Sequence, residues 1–264
     1  MKIYIVIPAY NAEKTLKNVL QNLNRACYRN IVVVDDGSRD NTYNVAKKIA
    51  KNLGKNMAKN ENIFVLKHFL NRGQGAALKT GIDFALNQGA DIIVTFDSDG
   101  QHRVEDLLDL IAPVANGEVD VALGSRFLSK DNIKAENKIT IKNTGSKNPI
   151  KVKVIETPNT KVPVIRKALL KSGAVVTWMT YGIKLTDSHN GLRALSRKAA
   201  EQINITSDRM EHASQIVEEI KNKDLKYREI PVLIRYTNYS KHHGQSSLNA
   251  VRIFSRMIYR KLTE

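Results

Sequence analysis

The sequence has a single cysteine, Cys27, among its 264 residues. One thiol cannot form a disulfide within the chain, which excludes the small secreted folds that depend on a disulfide framework. Scarcity of cysteine is also typical of proteins that fold in a reducing compartment. The fold therefore has to rest on a packed core, for which a chain of this length is sufficient.

Long hydrophobic runs are absent as well. No stretch of the sequence approaches the roughly 20 apolar residues that a membrane-spanning helix requires. The amino terminus begins directly on the strand-like run KIYIVIP, without the apolar core and small-residue cleavage site of a secretory signal. We therefore expect a cytoplasmic protein that is soluble or peripheral to a membrane.

Acidic and aromatic residues are both scarce. Asp and Glu number 26 against 42 Lys and Arg, which gives a formal net charge of +16. Such a field attracts nucleic acids, phosphorylated substrates or anionic membranes, although a lysine-rich composition can also reflect the source proteome. Aromatics make up only 6%, and no helix-turn-helix, zinc or single-strand-binding motif is recognisable, which disfavours specific nucleic-acid binding.

Strand-like and helix-like segments alternate through the first 125 residues. Aliphatic runs such as NIVVVD are typical of strands buried on both faces of a parallel sheet, and segments with helical spacing of Leu and Val follow them. This order predicts an α/β fold with a doubly wound, mostly parallel sheet. Further on, residues 184–203 are predicted as a loop entering a helix, and residues 227–236 as a strand.

Two basic segments stand apart from this pattern. Residues 129–161 contain eight lysines and three acidic residues, and the runs KITIK and IKVKVIE alternate polar and apolar side chains. We predict a basic β-hairpin insert there, with a disordered linker as the alternative. Residues 247–262 predict a C-terminal amphipathic helix with Arg252, Arg256 and Arg260 on one stripe. Such a helix either lies on an anionic membrane or packs its apolar face on the domain.

Five polar clusters each follow a predicted strand, and they read PAYN, DDGSRD, NRGQGA, DSDGQH and GSRF. Because ligands of such sheets bind beyond the carboxyl ends of the strands, we expect all five at one site. In DSDGQH, Asp97 and Asp99 fit a divalent cation, an acid/base pair or a loop cap. The convergence and the lack of any neighbour that would keep one carboxyl protonated favour the cation. Gly73 and Gly75 fit either a phosphate-bordering loop or a tight turn that lets the next helix pack.

Together with TDSHNGLRAL, these motifs resemble family 2 glycosyltransferases, most of all the dolichyl-phosphate mannose synthase and polyprenyl-phosphate sugar transferase branch. The resemblance covers residues 1–128 and, less completely, 163–248. It implies a GT-A-like fold, Mg²⁺ or Mn²⁺, and inverting transfer of a hexose from a UDP- or GDP-sugar to a polyprenyl phosphate. A transferase acting on a glycan or lipid hydroxyl is the alternative, and a nucleotidyltransferase a more distant one.

The resemblance also implies an organisation of the single catalytic domain. Residues 1–128 would bind the nucleotide sugar and the metal, and residues 162–264 would form the acceptor side. With the basic surface, it implies a peripheral location on the inner face of the cell membrane, with a membrane-protein partner as a further option.

Roles for individual residues follow from the resemblance alone. The nucleotide-sugar pocket would be formed by Pro8, Tyr10, Val34, Asp36, Asp97, Ser98, Asp99 and Lys241, the last standing where the family has an arginine. Asp36 would accept a hydrogen bond from the base. The metal ligands would be Asp97, Asp99 and Gln101.

On the acceptor side, the resemblance assigns Asp187 and Arg126 to catalysis, and Arg126 and Arg193 to acceptor binding. Asp187 would act as a base or orient the acceptor. A phosphate acceptor is already ionised near neutral pH, so a base matters mainly for a hydroxyl acceptor. His102 and His189 are further candidate bases, with solvated loop histidines as the alternative.

Overall fold

The computed structural model describes residues 1–54, 62–128, 178 and 182–235. The elements in chain order are β1 (Ile3–Ala9), α1 (Leu16–Arg25), β2 (Asn30–Asp35), α2 (Thr42–Gly54), β3 (Ile63–Lys67), α3 (Gln74–Asn87), β4 (Ile92–Thr95), a 3₁₀ turn (Val104–Asp106), α4 (Leu107–Ala115), β5 (Val121–Ser125), β6 (Arg193–Ser196), α5 (Arg197–Gln202), α6 (His212–Asn222) and β7 (Tyr227–Pro231). The predicted hairpin, the C-terminal helix and Lys241 lie outside the described residues.

The seven strands form one mixed sheet in the order β3-β2-β1-β4-β6-β5-β7. Strands β1 to β4 pair in parallel, β6 runs antiparallel between β4 and β5, and β7 is parallel to β5. The predicted α/β fold with a mostly parallel sheet is therefore confirmed. Since β6 is antiparallel to both neighbours, β5 runs in the same direction as β4, and its carboxyl end lies at the same edge.

Strand β6 differs from the prediction for residues 184–203. The sequence predicts a loop that enters a helix there, which is wrong for Arg193–Ser196, because these residues pair with two strands at once. Four residues are too few to show an alternating pattern, and the strand begins on arginine, a residue type that is rarely buried. The strand places Arg193 opposite Thr95 of β4 and Leu123 of β5.

Helices cover both faces of the sheet, as expected for a doubly wound fold. Side chains from α1, α2 and α4 pack in one core cluster, and side chains from α3, α5 and α6 pack in the other. Alternation along β1 serves both clusters, since Ile5 and Ile7 belong to the first and Tyr4 and Val6 to the second. With both faces buried, the carboxyl edge of the sheet is where polar side chains can gather.

Among the described residues, no helix is both long enough and apolar enough to cross a bilayer.

Candidate functional site

Hydrogen bonds join the polar clusters at the carboxyl edge of the sheet. The backbone N–H of Asn11, in PAYN, donates to the Ser38 hydroxyl of DDGSRD at 3.0 Å. The side-chain amide of Gln74, in NRGQGA, donates to Asp97 of DSDGQH at 3.0 Å. These bonds join four of the five clusters in two pairs, PAYN with DDGSRD and NRGQGA with DSDGQH.

Asp36 holds the loop that follows β3. Its buried carboxylate accepts hydrogen bonds from the backbone N–H groups of Arg72 at 3.0 Å and Gly73 at 2.7 Å. It also lies 2.7 Å from Nδ1 of His68. These contacts give Asp36 a structural role in shaping the pocket, while its hydrogen bond to a base stays a prediction.

The two glycines of NRGQG are explained by close packing. A Cβ atom on Gly73 would collide with the carbonyl oxygen of Asp208, and one on Gly75 with that of Ser207. Gly73 also has a φ angle of 116°, which side chains disfavour. The structure thus supports the tight-turn interpretation, and proximity of these glycines to a nucleotide stays a prediction.

The other predicted pocket residues occupy different depths. Pro8 and Val34 are buried and lie opposite each other in the pairing of β1 with β2. Tyr10, just beyond β1, is 44% exposed, and Ser98 is half-buried. The roles of these four residues in binding a nucleotide sugar stay predictions.

Asp99 lies in a turn directly after β4, close to a second carboxylate. It accepts hydrogen bonds from the backbone N–H of Gln101 at 2.9 Å and from the side-chain amide of Gln101 at 2.7 Å. Burial, followed by the charge of Asp97, raises the pKa of Asp99. A cation between the two carboxylates would relieve this repulsion.

The donor set fits Mg²⁺ or Mn²⁺. In the part of the chain that the structure describes, no group of three or more His, Cys, Asp or Glu side chains is arranged to hold a metal. A site at this edge would have two carboxylates, those of Asp97 and Asp99, and the amide oxygen of Gln101 as the protein's contribution. That is enough for a hard cation that keeps several positions for water and phosphate oxygens.

Asp97 is surrounded by hydrogen-bond donors and positive charge. Its Oδ1 accepts from Gln74 at 3.0 Å, and its Oδ2 lies 2.8 Å from Nε2 of His102. Burial raises the pKa of Asp97, but His102, Arg193 and His212 outweigh it, so the pKa lies below its usual range. Asp97 is therefore ionised at neutral pH.

The loop before β6 brings a glycine and an arginine to this carboxylate. A Cβ atom on Gly191 would lie 2.5 Å from Oδ2 of Asp97, so only glycine fits. Arg193 is 2% exposed, and its Nη1 has no hydrogen-bond partner within the described part of the chain. Burial lowers the pKa of Arg193 to about 10, while the charges of Asp97 and Asp187 oppose the shift. Acceptor binding by Arg193 stays a prediction, and its burial limits access to it.

Asp187 and Arg126 form a buried, bidentate ion pair. Arg126 donates from Nε to Oδ2 and from Nη2 to Oδ1 of Asp187, both at 2.6 Å, and its backbone N–H adds a third bond at 3.1 Å. Burial raises the pKa of Asp187, but the bonds and charge of Arg126 outweigh it and lower the pKa overall. Asp187 is therefore a weak base whose geometry suits it to orient Arg126.

Three residues that support the site are not among those predicted from the sequence, and they lie on three different elements. Glu229 of β7 accepts from the backbone N–H groups of Thr186 and Asp187 at 2.9 and 3.0 Å and so fixes the loop carrying Asp187. Gln74 lies at the start of α3 and His212 at the start of α6. The only sequence signal for Gln74 is its place in a polar cluster, and none marks Glu229 or His212.

His212 makes the stability of the protein depend on pH. Its Nδ1–H donates to the Arg209 carbonyl at 2.6 Å, and burial, followed by the charge of Arg193, lowers its pKa from 6.5 to about 4. Between these values the unfolded chain binds more protons, so stability falls as the pH falls. At about 1.4 kcal/mol per pKa unit, the loss is about 3 kcal/mol.

We therefore expect His212→Gln to flatten the dependence of unfolding free energy on pH between 6.5 and 4. Denaturant unfolding of both proteins at several pH values measures this. Parallel profiles for the wild type and the variant would show that His212 is not the titrating group.

Comparison with protein families gives one extended match. Residues 4–203 match the profile of a protein family described as "Glycosyl transferase family 2". An uncharacterized protein of Methanocaldococcus jannaschii is 35% identical over 263 residues, which cover 99% of this chain and 93% of that protein. The UDP-N-acetylglucosamine–dolichyl-phosphate N-acetylglucosaminyltransferase of Methanococcus voltae is 36% identical over 267 residues, covering 98% of this chain and 96% of that enzyme.

Solved structures support the fold. Glucosyl-3-phosphoglycerate synthase from Mycobacterium tuberculosis, in complex with Mn²⁺, UDP and glucosyl-3-phosphoglycerate, matches with a TM-score of 0.56 and 15% identity over 96% of this chain and 78% of that one. The same protein has also been solved with Mg²⁺ and UDP. The likeness shows a GT-A-like fold.

Proposed function

Since this chain belongs to glycosyl transferase family 2, we propose that it transfers a hexose from a UDP- or GDP-sugar to a polyprenyl phosphate, with inversion at the anomeric carbon. The observation that carries the acceptor assignment is the bidentate Asp187–Arg126 pair, which places a guanidinium at the site and occupies both oxygens of Asp187. The Methanococcus voltae relative, named for UDP-N-acetylglucosamine and dolichyl phosphate, supports the same class of reaction.

In this proposal, residues 1–128 bind the donor and the metal, and the loop at Asp187 meets the acceptor. Asp97, Asp99 and Gln101 would hold Mg²⁺ or Mn²⁺, which when bound offsets the negative charge that builds on the leaving diphosphate. The acceptor oxygen forms a bond to the sugar C1 as the bond from C1 to the diphosphate oxygen breaks. An attack from the opposite face inverts the configuration through an oxocarbenium-like state.

The state of Asp187 favours a phosphate acceptor over a hydroxyl acceptor. A phosphate monoester loses its second proton near pH 6, so its oxygen attacks without help from a base. Asp187, with its lowered pKa and both oxygens bonded to Arg126, is poorly suited to remove a proton. Arg126 is suited to hold anionic oxygens by charge-assisted hydrogen bonds.

A hydroxyl acceptor remains the second candidate because of His189. Its Nδ1 lies 2.8 Å from the Ser188 hydroxyl, and burial, followed by the charge of Arg193, lowers its pKa. His189 is therefore neutral near pH 7, as a general base must be. A glycan or lipid hydroxyl would then be activated by His189 rather than by Asp187.

A lipid acceptor would bring the protein to a membrane. The formal net charge of +16 supports contact with the anionic inner face of the cell membrane, directly or beside a membrane-protein partner. A peripheral location follows from the proposed substrate, and fractionation of cells in low and high salt would test it.

The direct test is an assay with purified protein, Mn²⁺ and radiolabelled donors. UDP-N-acetylglucosamine, UDP-glucose and GDP-mannose are each offered with dolichyl or undecaprenyl phosphate and, separately, with the free alcohols. We expect a lipid product only with the phosphates, and release of the sugar by mild acid. Label on the alcohols alone would support the hydroxyl alternative.

Asp36 gives a prediction for donor binding. Asp36→Asn should raise KM for the donor about 10- to 100-fold, the range for losing one hydrogen bond to a charged group, with kcat changed little. The reason is that the hydrogen bond to the nucleotide base and the loop that Asp36 shapes are equally present in the ground and transition states. Steady-state kinetics check this, and a fall in kcat at constant KM would require a different role for Asp36.

A further inference from the structure

We propose that His102 is a positioning residue, which together with Gln74 fixes the Asp97 carboxylate in the orientation that binds the divalent cation. This inference rests on the proposed metal-dependent function and extends it to a residue outside the expected ligand set. The hydrogen bonds to the two oxygens of Asp97, at 3.0 Å from Gln74 and 2.8 Å from His102, are its starting point.

The two donors act on opposite oxygens of one carboxylate. Each oxygen has about two lone-pair sites, so after one hydrogen bond each retains a site for a cation. Rotation of the carboxylate would break the bonds to Gln74 and His102 together. Gly191 closes a third side, since any side chain there would collide with Asp97. Asp97 is thus held in one orientation by residues from three separate segments.

His102 is itself prevented from turning away. Its side chain is 3% exposed, and its ring contacts Phe96 edge-on, with ring centroids 5.4 Å apart. Its backbone forms an antiparallel bridge with Ile234, and the neighbouring Gln101 carbonyl accepts from the Arg235 N–H at 2.9 Å. The segment after β7 therefore locks the backbone from which the ring projects.

The chemistry of the ring argues against a role as packing alone. Among the residues that the structure describes, Nδ1 of His102 is buried without a hydrogen-bond partner, and Asp97 is the one polar partner of the ring. A buried unpaired nitrogen destabilises the fold, and an apolar side chain of similar size would avoid that cost. The same enclosure keeps His102 away from an incoming acceptor, so it fits positioning better than the base role.

The test measures Mn²⁺ affinity, by electron paramagnetic resonance, in the presence of UDP or GDP. Loss of a residue that orients a metal ligand typically weakens metal binding 10- to 100-fold, and we expect this range for His102→Leu. In His102→Gln the side-chain N–H can still reach Asp97. The Mn²⁺ affinity of this variant should therefore lie within about threefold of the wild-type value, a small change beside the loss expected for His102→Leu.

Two further variants separate positioning from packing. Phe96→Leu removes the ring contact but leaves the hydrogen bond, so it should lower the melting temperature with little change in Mn²⁺ affinity. Gln74→Leu removes the hydrogen bond to Oδ1 of Asp97 and should also weaken Mn²⁺ binding. This variant tests the same arrangement if His102→Leu does not fold.

Each alternative result counts against the proposal in a distinct way. Unchanged Mn²⁺ affinity in His102→Leu or in Gln74→Leu would overturn it, as would equal weakening in His102→Leu and His102→Gln. If the wild-type protein binds no Mn²⁺ with either nucleotide, the metal-dependent function fails and the inference with it.

Discussion

Asp99→Ala is expected to lower kcat for sugar transfer about 10³-fold, an effect at the upper end for losing one electrostatic stabiliser of a transition state. Asp99 is half-buried just beyond β4, and burial, followed by the charge of Asp97, raises its pKa. Removing it takes away one of two carboxylates that would hold the cation against the leaving diphosphate. Asp97→Asn should cause a loss of the same order.

The loss should arise without unfolding. The hydrogen bonds that the described residues make with Asp99 come from Gln101 in its own turn, so the melting temperature of Asp99→Ala should stay within a few degrees of the wild type. Asp83→Asn is a matched control, because Asp83 is a half-exposed carboxylate on α3 paired with Lys79 one helical turn away. Neutralising it should leave transfer unchanged.

Metal removal gives the complementary measurement. Activity should disappear after dialysis against EDTA and return with Mg²⁺ or Mn²⁺, while Asp99→Ala should stay inactive in millimolar metal. Full activity of the wild type in excess chelator would refute the assignment of Asp97, Asp99 and Gln101 to a cation.

The position of these carboxylates is predictable from sequence for a simple reason. A buried aliphatic run ends at Phe96, and in a parallel sheet such ends share one edge, so strand order alone places Asp97 beside the clusters after β1, β2 and β3. This inference requires the direction of the strands and does not require knowing which strands pair. The same logic places Arg126, after β5, at the same edge.

Contacts between distant segments could not be predicted in this way. Asp187 and Arg126 are 61 residues apart in the sequence, and nothing local indicates that they form an ion pair. Arg193 begins a four-residue strand inserted antiparallel between β4 and β5, where tertiary pairing outweighs the low tendency of arginine to be buried. The sequence therefore indicates which residues gather, while their partners and burial depend on pairing at long range.

That ion pair makes the identity of the acceptor testable, and the variants have to respect its burial. Removing one partner of a buried pair typically costs about 3–5 kcal/mol, so Arg126→Ala risks unfolding the protein. Asp187→Asn and Arg126→Gln keep the shape and polarity of each side chain and are safer. Melting temperatures of both should be measured first, and the double variant serves as a control for an unpaired charge.

With a phosphate acceptor, Arg126→Gln should be the more damaging change. It removes the cation that would hold the phosphate, and we expect a loss in kcat/KM for the lipid of about 10²–10³-fold. Asp187→Asn should lose about 10-fold, because the amide still accepts one hydrogen bond from Arg126 and no proton has to be removed. Assays with one donor and both acceptor types measure the two ratios.

The pH profile of Asp187→Asn then separates an orienting carboxylate from a general base. Asp187 as a base would supply the acidic limb of kcat/KM, and losing it would cost about 10²–10⁴-fold and abolish that limb. An ionising phosphate acceptor instead gives a limb near pH 6 that belongs to the substrate and persists in the variant. We expect the limb to persist. A nearly inactive Asp187→Asn without an acidic limb, beside an almost wild-type Arg126→Gln, would assign the enzyme to a hydroxyl acceptor instead.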